Sequence, residues 1–536
     1  MKKKHMRSML ALLATVAAAA AMAQTSPQRL QVSSYKVTGN TLLQAAQIDA
    51  ALAAFTGQRT LDELKQAAAA VQELYRAAGY GAVIAYLPEQ TVSGGVATIA
   101  VLEGKVARVV VIGNQQFSAE NVRRSLPLLQ EGQTPRIAAL DEQIQLANEN
   151  PARSIAVTLE PGARQGEVDA RVNVTEKPVS RWAVAIDNTG NSQTGEVRAS
   201  LSWRHAALWD ADHQASLLFQ TSPSKPSQVK IFTAGYSVPF YGAGMRLDAY
   251  AAYSNVDGGS TPIGTSTMQF AGKGHVLGAR LNTLLPRLGE VDQRVSVGLD
   301  RRAYLNECSI TGQGPGACGS AGESVTVNPL SLEYTVQRGG SFPLGANLSF
   351  SANLDLGGSH SEPADFTRVR AGAPQRYTLW RLGLFANPEL GSDWKLQARL
   401  QAQVSPDALV PGEQFGLAGA NAVRGYAERE VIGDSGTAAT VEVLGPDVMA
   451  GAAAPGAAAQ SLRLAAFVDG GQVSNKLGLE CRAGRTRCTL NAVGLGLRWS
   501  SGPGQLRVDV ARAGSDGTRT DSGSWKLHLA GSWAFE

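Results

Sequence analysis

The sequence has few charged residues and, beyond its N-terminus, no long apolar run. Charged residues make up 18% of the 536-residue chain, below the usual ~25%. No apolar stretch of about 18 or more residues follows the N-terminal segment, which excludes a bundle of transmembrane helices. The formal net charge is only +4, and basic residues do not cluster after residue 7, which argues against a nucleic-acid partner. The 58 glycines are instead typical of a chain with many strands and turns.

Cysteine and histidine are scarce as well. Of the four cysteines, Cys308 with Cys318 and Cys481 with Cys488 each close a short glycine-rich loop, which predicts two local disulfides in an oxidising compartment. A zinc site is the alternative, but the six histidines lie far from metal-ligand spacing.

Catalytic motifs are lacking too. The sequence contains no Gly-x-Ser-x-Gly, no His-Glu-x-x-His and no phosphate-binding Gly-Lys-Ser/Thr loop. We therefore expect no enzyme activity, no metal, no cofactor and no nucleotide.

Residues 1–23 are predicted to be a secretory signal peptide. A basic segment (residues 2–7) precedes the apolar run Met9–Ala21, and residues 21–23 (Ala-Met-Ala) fit a cleavage site. The alternative, a membrane anchor, is disfavoured because the run is too short to span a bilayer. The mature chain is therefore expected to begin near Gln24, outside the cytoplasm.

Residues 30–103 and 106–176 are predicted to be two copies of one small domain. In each copy a strand ends at a Gly-Asn turn, Gly39-Asn40 and Gly113-Asn114, and helical spacing and two further strands follow. This order predicts a β-α-α-β-β unit, the alternative being two unrelated domains. The exposed edge of such a sheet can bind an extended polypeptide by strand addition, although the copies could also be spacers.

Residues 178–536 alternate between polar and apolar side chains in segments of strand length. Their number is even, their connections alternate between short and long, and their polar faces carry charges that a wet lumen can hold. The pattern predicts a closed sixteen-stranded transmembrane barrel, because an open sheet edge in lipid would leave backbone groups unsatisfied. The predicted strands are 181–187, 197–203, 213–221, 229–239, 245–255, 274–286, 292–304, 324–338, 347–358, 377–389, 393–405, 437–448, 461–473, 489–500, 504–512 and 524–535.

Several short motifs occur in an order that resembles a known family. Val423-Arg424-Gly425-Tyr426 is similar to a loop tip with the sequence VRGY, and Phe467-Val468-Asp469-Gly470-Gly471 is similar to its partner motif on the thirteenth strand. The family is that of the two-partner secretion transporters (TpsB; the ShlB/FhaC/HecB hemolysin secretion/activation type), in a superfamily with POTRA domains and a barrel. Further matches are Gly79-Tyr80, Leu87-Pro88-Glu89-Gln90, Val101-Leu102-Glu103-Gly104, Leu159-Glu160-Pro161-Gly162 and Gly166-Glu167-Val168-Asp169.

The resemblance implies both a location and an activity. It implies POTRA-like domains in the periplasm, a barrel in the outer membrane of a Gram-negative bacterium, and a loop that folds into the lumen so that Arg424 docks on Asp469. The expected activity is type V secretion of an unfolded TpsA-like hemolysin or adhesin, by a monomer in contact with outer-membrane lipid. The alternatives are an outer-membrane assembly or insertase factor of the same superfamily, and a passive porin.

Overall fold

The computed structural model describes residues 29–263, 266–306, 319–450 and 460–535. The predicted signal peptide (residues 1–23) and the pair Cys308 and Cys318 lie outside these residues. In the described part of the chain, the helices are too short or too polar to cross a membrane. The chain forms two compact units, one of Met1–Val110, Leu128–Asp141 and Val157–Val172, the other of Val111–Pro127, Glu142–Ala156 and Asn173–Glu536.

The first α+β domain consists of a three-stranded sheet, two helices and a short strand pair. The sheet has the order β2-β5-β4, with β2 parallel and β4 antiparallel to β5, while β1 pairs with β3. Helix α2 begins at a capping box formed by Thr60 and Glu63. The elements are β1 Arg29–Val32, β2 Ser34–Thr38, α1 Ala45–Leu52, β3 Gly57–Thr60, α2 Leu61–Ala77, β4 Val83–Tyr86 and β5 Val96–Glu103.

The second α+β domain has the same order of elements without the extra strand pair. Its three strands lie in the order β6-β8-β7, and the Ser118 side chain caps α3 by accepting a hydrogen bond from the Asn121 N–H. The elements are β6 Lys105–Ile112, α3 Ala119–Arg124, α4 Ile137–Ala147, β7 Arg153–Pro161 and β8 Glu167–Glu176.

Sixteen principal strands of the described residues form a closed antiparallel barrel. The last strand pairs with the first, from Ala530 opposite Asp187 to Phe535 opposite Trp182. The predicted fold class, α+β domains followed by an all-β barrel, is therefore confirmed. The principal strands are β9 Ser180–Asp187, β10 Arg198–Leu208, β11 His213–Thr221, β12 Lys230–Phe240, β13 Met245–Ile263, β14 Ser266–Leu288, β15 Val291–Leu305, β17 Pro329–Arg338, β18 Leu344–Asn353, β19 Thr378–Ala386, β21 Trp394–Val404, β24 Ser435–Leu444, β25 Gln460–Ser474, β26 Arg487–Ser501, β27 Gly504–Ala513 and β28 Trp525–Phe535.

Shorter elements account for the remaining described structure. Strands β16 and β20 extend the wall, β22 and β23 pair with each other, and α5 lies in an outer connection. Their bounds are β16 Val325–Val327, α5 Pro363–Val369, β20 Glu389–Gly391, β22 Phe415–Gly416 and β23 Ile432–Gly433.

Several predicted strands have bounds other than those observed, and two of these differences have a clear local cause. The strand predicted at 324–338 is interrupted at Asn328, because Pro329 has no N–H to continue the ladder. The strand predicted at 347–358 ends at Asn353, and the chain then turns through Gly357 and Gly358, whose φ values are 68° and 104°.

The barrel wall presents apolar side chains outward and polar side chains to the lumen. On β25, Leu464 and Val468 are 61% and 51% exposed, whereas Phe467 and Asp469, directly before and after Val468, are buried. Trp525 and Trp533 on β28 also face outward. Such alternation suits a wall with lipid outside and a polar interior.

Candidate functional site

The connection between β21 and β24, residues 405–434, folds into the barrel, and we call it the inward loop. Strands β22 and β23 pair within it and make it a hairpin with residues 417–431 at its end. Its apolar side chains are buried against the inner wall and thus belong to the interior of the barrel. This cluster contains Leu417, Val423, Tyr426 and Val431 of the loop and Val473, Leu490 and Ala492 of the wall.

Arg424 lies near the tip of the inward loop, and its side chain is fully buried against three wall carboxylates. It donates to both oxygens of Asp469, over 2.7 Å from Nε to Oδ2 and 2.9 Å from Nη2 to Oδ1. Its backbone N–H also donates to Asp469, over 3.1 Å. Nη1 donates to Glu442 over 2.7 Å and to Asp509 over 3.3 Å. This bidentate, charge-assisted geometry is the strongest that an arginine makes with a carboxylate.

Each of the three carboxylates around Arg424 is paired with an arginine. The three carboxylates come from β24, β25 and β27, and wall arginines join the cluster. Arg498 donates to Glu442 over 2.8 Å and Arg507 to Asp509 over 2.7 Å. With Arg424 on Asp469, every one of these anions has a cationic partner. Buried charges are tolerated when they are paired in this way, whereas removal of one partner leaves an uncompensated charge.

The residues that follow Arg424 fit the wall closely. Gly425 has a φ of 94°, which glycine adopts without strain, and its N–H donates to His528 Nε2 over 2.9 Å. The Tyr426 hydroxyl donates to the carbonyl oxygen of Asn491, over 2.9 Å. These bonds fix the path of the loop directly after the arginine.

The second predicted motif forms the wall beneath the loop. The guanidinium carbon of Arg424 lies 3.2 Å from the centre of the Phe467 ring, a cation–π contact. A Cβ at Gly471 would lie 2.4 Å from Leu417 Cδ1, so glycine is needed there for the loop to approach. At Gly470 the nearest atom to such a Cβ is 3.9 Å away. The structure thus brings the two sequence motifs together at one place in the lumen.

Sequence reasoning missed two of the three carboxylates as partners of Arg424. Neither Asp509 nor Glu442 lies in one of the two sequence motifs. The signal that could have found them is strand parity, because both lie on the polar faces of β27 and β24. Parity alone, however, does not say which of the lumen charges meet.

The predicted cysteine pairs have different outcomes. Cys481, in the connection after β25, and Cys488, at the start of β26, form a disulfide with an S–S distance of 1.99 Å. The proposed partners Cys308 and Cys318 lie outside the described residues.

A closed sixteen-stranded barrel with an inward loop, preceded by α+β domains, defines a class of membrane transporter. Comparison with known families identifies it further. The model of the haemolysin secretion/activation protein family ShlB/FhaC/HecB matches residues 166–498, and the ShlB-type POTRA domain model matches residues 30–104. The chain belongs to the ShlB/FhaC/HecB family of haemolysin secretion/activation proteins.

Individual relatives agree with this assignment. The outer membrane transporter CdiB of Escherichia coli is 27% identical over 423 residues, which cover 76% of this chain and 67% of the relative. The heme/hemopexin transporter protein HuxB of Haemophilus influenzae is 20% identical over 372 residues, which cover 68% of this chain and 63% of the relative. The solved structure of CdiB from Escherichia coli shares the fold, with a TM-score of 0.76 at 20% identity over 96% of this chain and 92% of that one.

These findings confirm the predicted class and location. The protein is an outer-membrane transporter of the two-partner secretion family, with its barrel in the outer membrane and POTRA structure in the periplasm. The family mediates secretion of a partner exoprotein.

Proposed function

We propose that this chain binds an unfolded TpsA-like polypeptide with its periplasmic domains and secretes it through the barrel, with the inward loop as the gate. The observation that carries the proposal is the burial of Arg424 among Asp469, Glu442 and Asp509. A loop attached by ionic contacts can be released, because water or a passing polar chain can replace each of its partners. Transport of this kind requires no catalysis by the chain.

The first α+β domain offers an edge for binding an extended chain. Strand β4 lies at the edge of its sheet, and a groove of about 830 Å³ runs between β4 and α2. At this edge the Ala85 N–H donates to the Gln72 side chain over 3.2 Å. An incoming strand can replace Gln72 by offering a backbone carbonyl to Ala85, an interaction that depends little on its sequence. The groove is lined by Leu64, Ala68, Gln72, Ala85, Leu87 and Val92.

The proposal is tested by co-expression with a TpsA-like exoprotein and measurement of its release into the medium. Arg424→Ala should sharply reduce release while the barrel stays inserted, as shown by a heat-modifiable band on a gel. The matched control is Arg338→Ala, since Arg338 is half-exposed and pairs with Glu290 away from the inward loop. Full release by Arg424→Ala would refute the role of Arg424 in secretion.

Capture is tested in the same strain. Deletion of residues 30–103 should abolish co-purification of the exoprotein, because the edge strand and its groove are then lost. Co-purification that survives the deletion, with the barrel still heat-modifiable, would show that capture occurs elsewhere.

A further inference from the structure

The inward loop has a second buried charge, at its opposite end. The side chain of Glu413 is only 1% exposed. Arg302 Nη1 donates to both of its carboxylate oxygens, over 2.8 and 3.1 Å, and the Tyr304 hydroxyl donates to Oε1 over 2.9 Å. A carboxylate is thus held by a cation and a hydroxyl of the same strand, β15, with Arg381 of β19 at 3.5 Å.

The main chain at this point is fixed as firmly as the side chain. The Gln403 side chain donates to the backbone carbonyl of Glu413 over 2.9 Å. The preceding residue, Gly412, lies flat on the Tyr304 ring, where a Cβ would stand 2.3 Å from the ring carbon Cζ. Any side chain at position 412 would therefore push the loop off the wall.

The base of the loop is held by further bonds next to Glu413. Asp434, where the loop ends, is fully buried. Its carboxylate accepts hydrogen bonds from the Leu409 N–H over 2.9 Å and from the Gln414 side chain over 3.1 Å, and it also pairs with Arg370. The base therefore combines ionic, neutral and packing contacts.

The two ends of the loop attach to different strands of the barrel. Counted from β9, Arg302 lies on the seventh barrel strand, β15, whereas Asp469, the bidentate partner of Arg424, lies on the thirteenth, β25. These two strands are six positions apart in the wall. The loop therefore runs from its contacts with β15 at Glu413 to its contacts with β25 at Arg424.

We propose that Glu413 is a positioning residue of the gate. It fixes the base of the inward loop to β15, so that the base stays attached and the tip moves when Arg424 leaves its carboxylates. The proposal rests on the proposed function, in which the loop closes the pore. Without Glu413 the base loses its ionic link to β15 and is held only by its remaining contacts, and the pore opens partially and often.

The test is the resting current of purified variants in planar lipid bilayers. Glu413→Ala should raise the frequency of opening on the order of tenfold, because the loop loses its ion pair with Arg302, which keeps Asp300 as its carboxylate partner. These openings should be partial, below the level reached by Arg424→Ala. Glu413→Gln keeps the shape and one acceptor oxygen, so it should show a smaller increase. Glu290→Ala, at an exposed glutamate, is the matched control and should resemble the unmodified protein.

The outcomes separate this proposal from the proposed function. If Arg424→Ala raises the current and both Glu413 variants behave like the unmodified protein, the loop is a gate but Glu413 does not position it. If Arg424→Ala leaves the current unchanged, the gate itself is refuted and this proposal with it. If Glu413→Ala loses its heat-modifiable band, the nearly isosteric Glu413→Gln decides, and an unchanged current in that variant overturns the proposal.

Discussion

The two ends of the inward loop bury charges of opposite sign. At the tip, Arg424 enters a wall of carboxylates, whereas at the base Glu413 enters a wall that supplies Arg302 and Tyr304. If the two ends of the loop exchanged places, Arg424 would meet Arg302 and Glu413 would meet the carboxylates, so like charges would face each other at both ends. Since buried ion pairs contribute little net stability but can select one arrangement, the opposite polarities define the path of the loop across the lumen.

The two ends also differ in the partners of their buried charges. The Arg424 side chain bonds to three carboxylates, whereas the Glu413 side chain combines an ion pair with a hydroxyl donor. Neutral bonds and packing support both ends, through Tyr426 at the tip and Gly412 at the base. Loss of Arg424 removes more ionic contacts than loss of Glu413, so it should release its end of the loop more completely. A tip that is released while the base is retained is what a hinged gate needs.

The largest effect is expected when the charge of Asp469, the main carboxylate partner of Arg424 at the tip, is removed. Asp469→Asn leaves Arg424 without its bidentate partner, and the new amide N–H₂ group faces an arginine donor. Breaking a buried pair costs about 3–5 kcal/mol, so the ratio of open to closed pores should rise by roughly a hundredfold to several thousandfold. Single-channel recording of the open probability measures it.

Glu442→Gln is the matched comparison at the tip. Glu442 makes one bond to Arg424, while its other bonds go to Arg498. Its loss should therefore open the pore less than Asp469→Asn does. Equal open probabilities for the two variants would contradict the dominant role assigned to Asp469.

The sequence predicts the tip of the loop better than its base. Arg424 and Asp469 lie in short motifs, and the alternation of β25 places Asp469 in the lumen. The partners Glu442, Asp509 and Arg302 are isolated charges on polar faces. Which of them meet depends on the register between strands and on the path of the loop, for example Glu442 opposite Phe467. These are long-range contacts that no local pattern records.

The same limit applies to the first α+β domain. The helix over Leu61–Ala77 is predicted from its spacing and its C-terminal glycine. The pairing of β1 with β3 is not, because each strand has only four residues and neither alternates in polarity. Short strands of this kind form because neighbouring elements hold them, and not because of their own composition.

A smaller effect is expected from the pH, through the carboxyl group of Glu428 in the inward loop. Burial and the nearby Asp187 raise the pKa of Glu428 to about 7. The Ala420 N–H bond and the charges of Lys526 and Arg429 lower the pKa and so act against this shift. A carboxyl group in an open, wet lumen has a pKa near ~4.3. Glu428 therefore favours its protonated form when the loop is docked. Docking weakens as the pH rises from about 4.3 to about 7, and it does not change further above about 7.

The expected result is an open probability that increases on the order of tenfold from about pH 5 to about pH 7. Glu428→Gln cannot ionise, so its open probability should stay flat over that range. Recordings at stepped pH on both proteins provide the measurement. A rise of equal size in Glu428→Gln would assign the pH dependence to another group.

The smallest expected effect distinguishes two buried tyrosines at the base of the loop. Tyr304 donates its hydroxyl to Glu413, whereas the hydroxyl of Tyr377, in the same apolar cluster, has no hydrogen-bond partner among the described residues. Tyr304→Phe removes one donor from a carboxylate that Arg302 still holds, at a cost of about 1 kcal/mol, which is roughly a fivefold rise in opening frequency. Tyr377→Phe removes an unsatisfied polar atom and should leave the current unchanged or slightly lower. The same recordings compare the two variants at equal protein concentration. An equal response from both would mean that the Tyr304 hydroxyl does not hold the base, and the contrast between the ionic partners of Arg424 and the mixed partners of Glu413 would be lost.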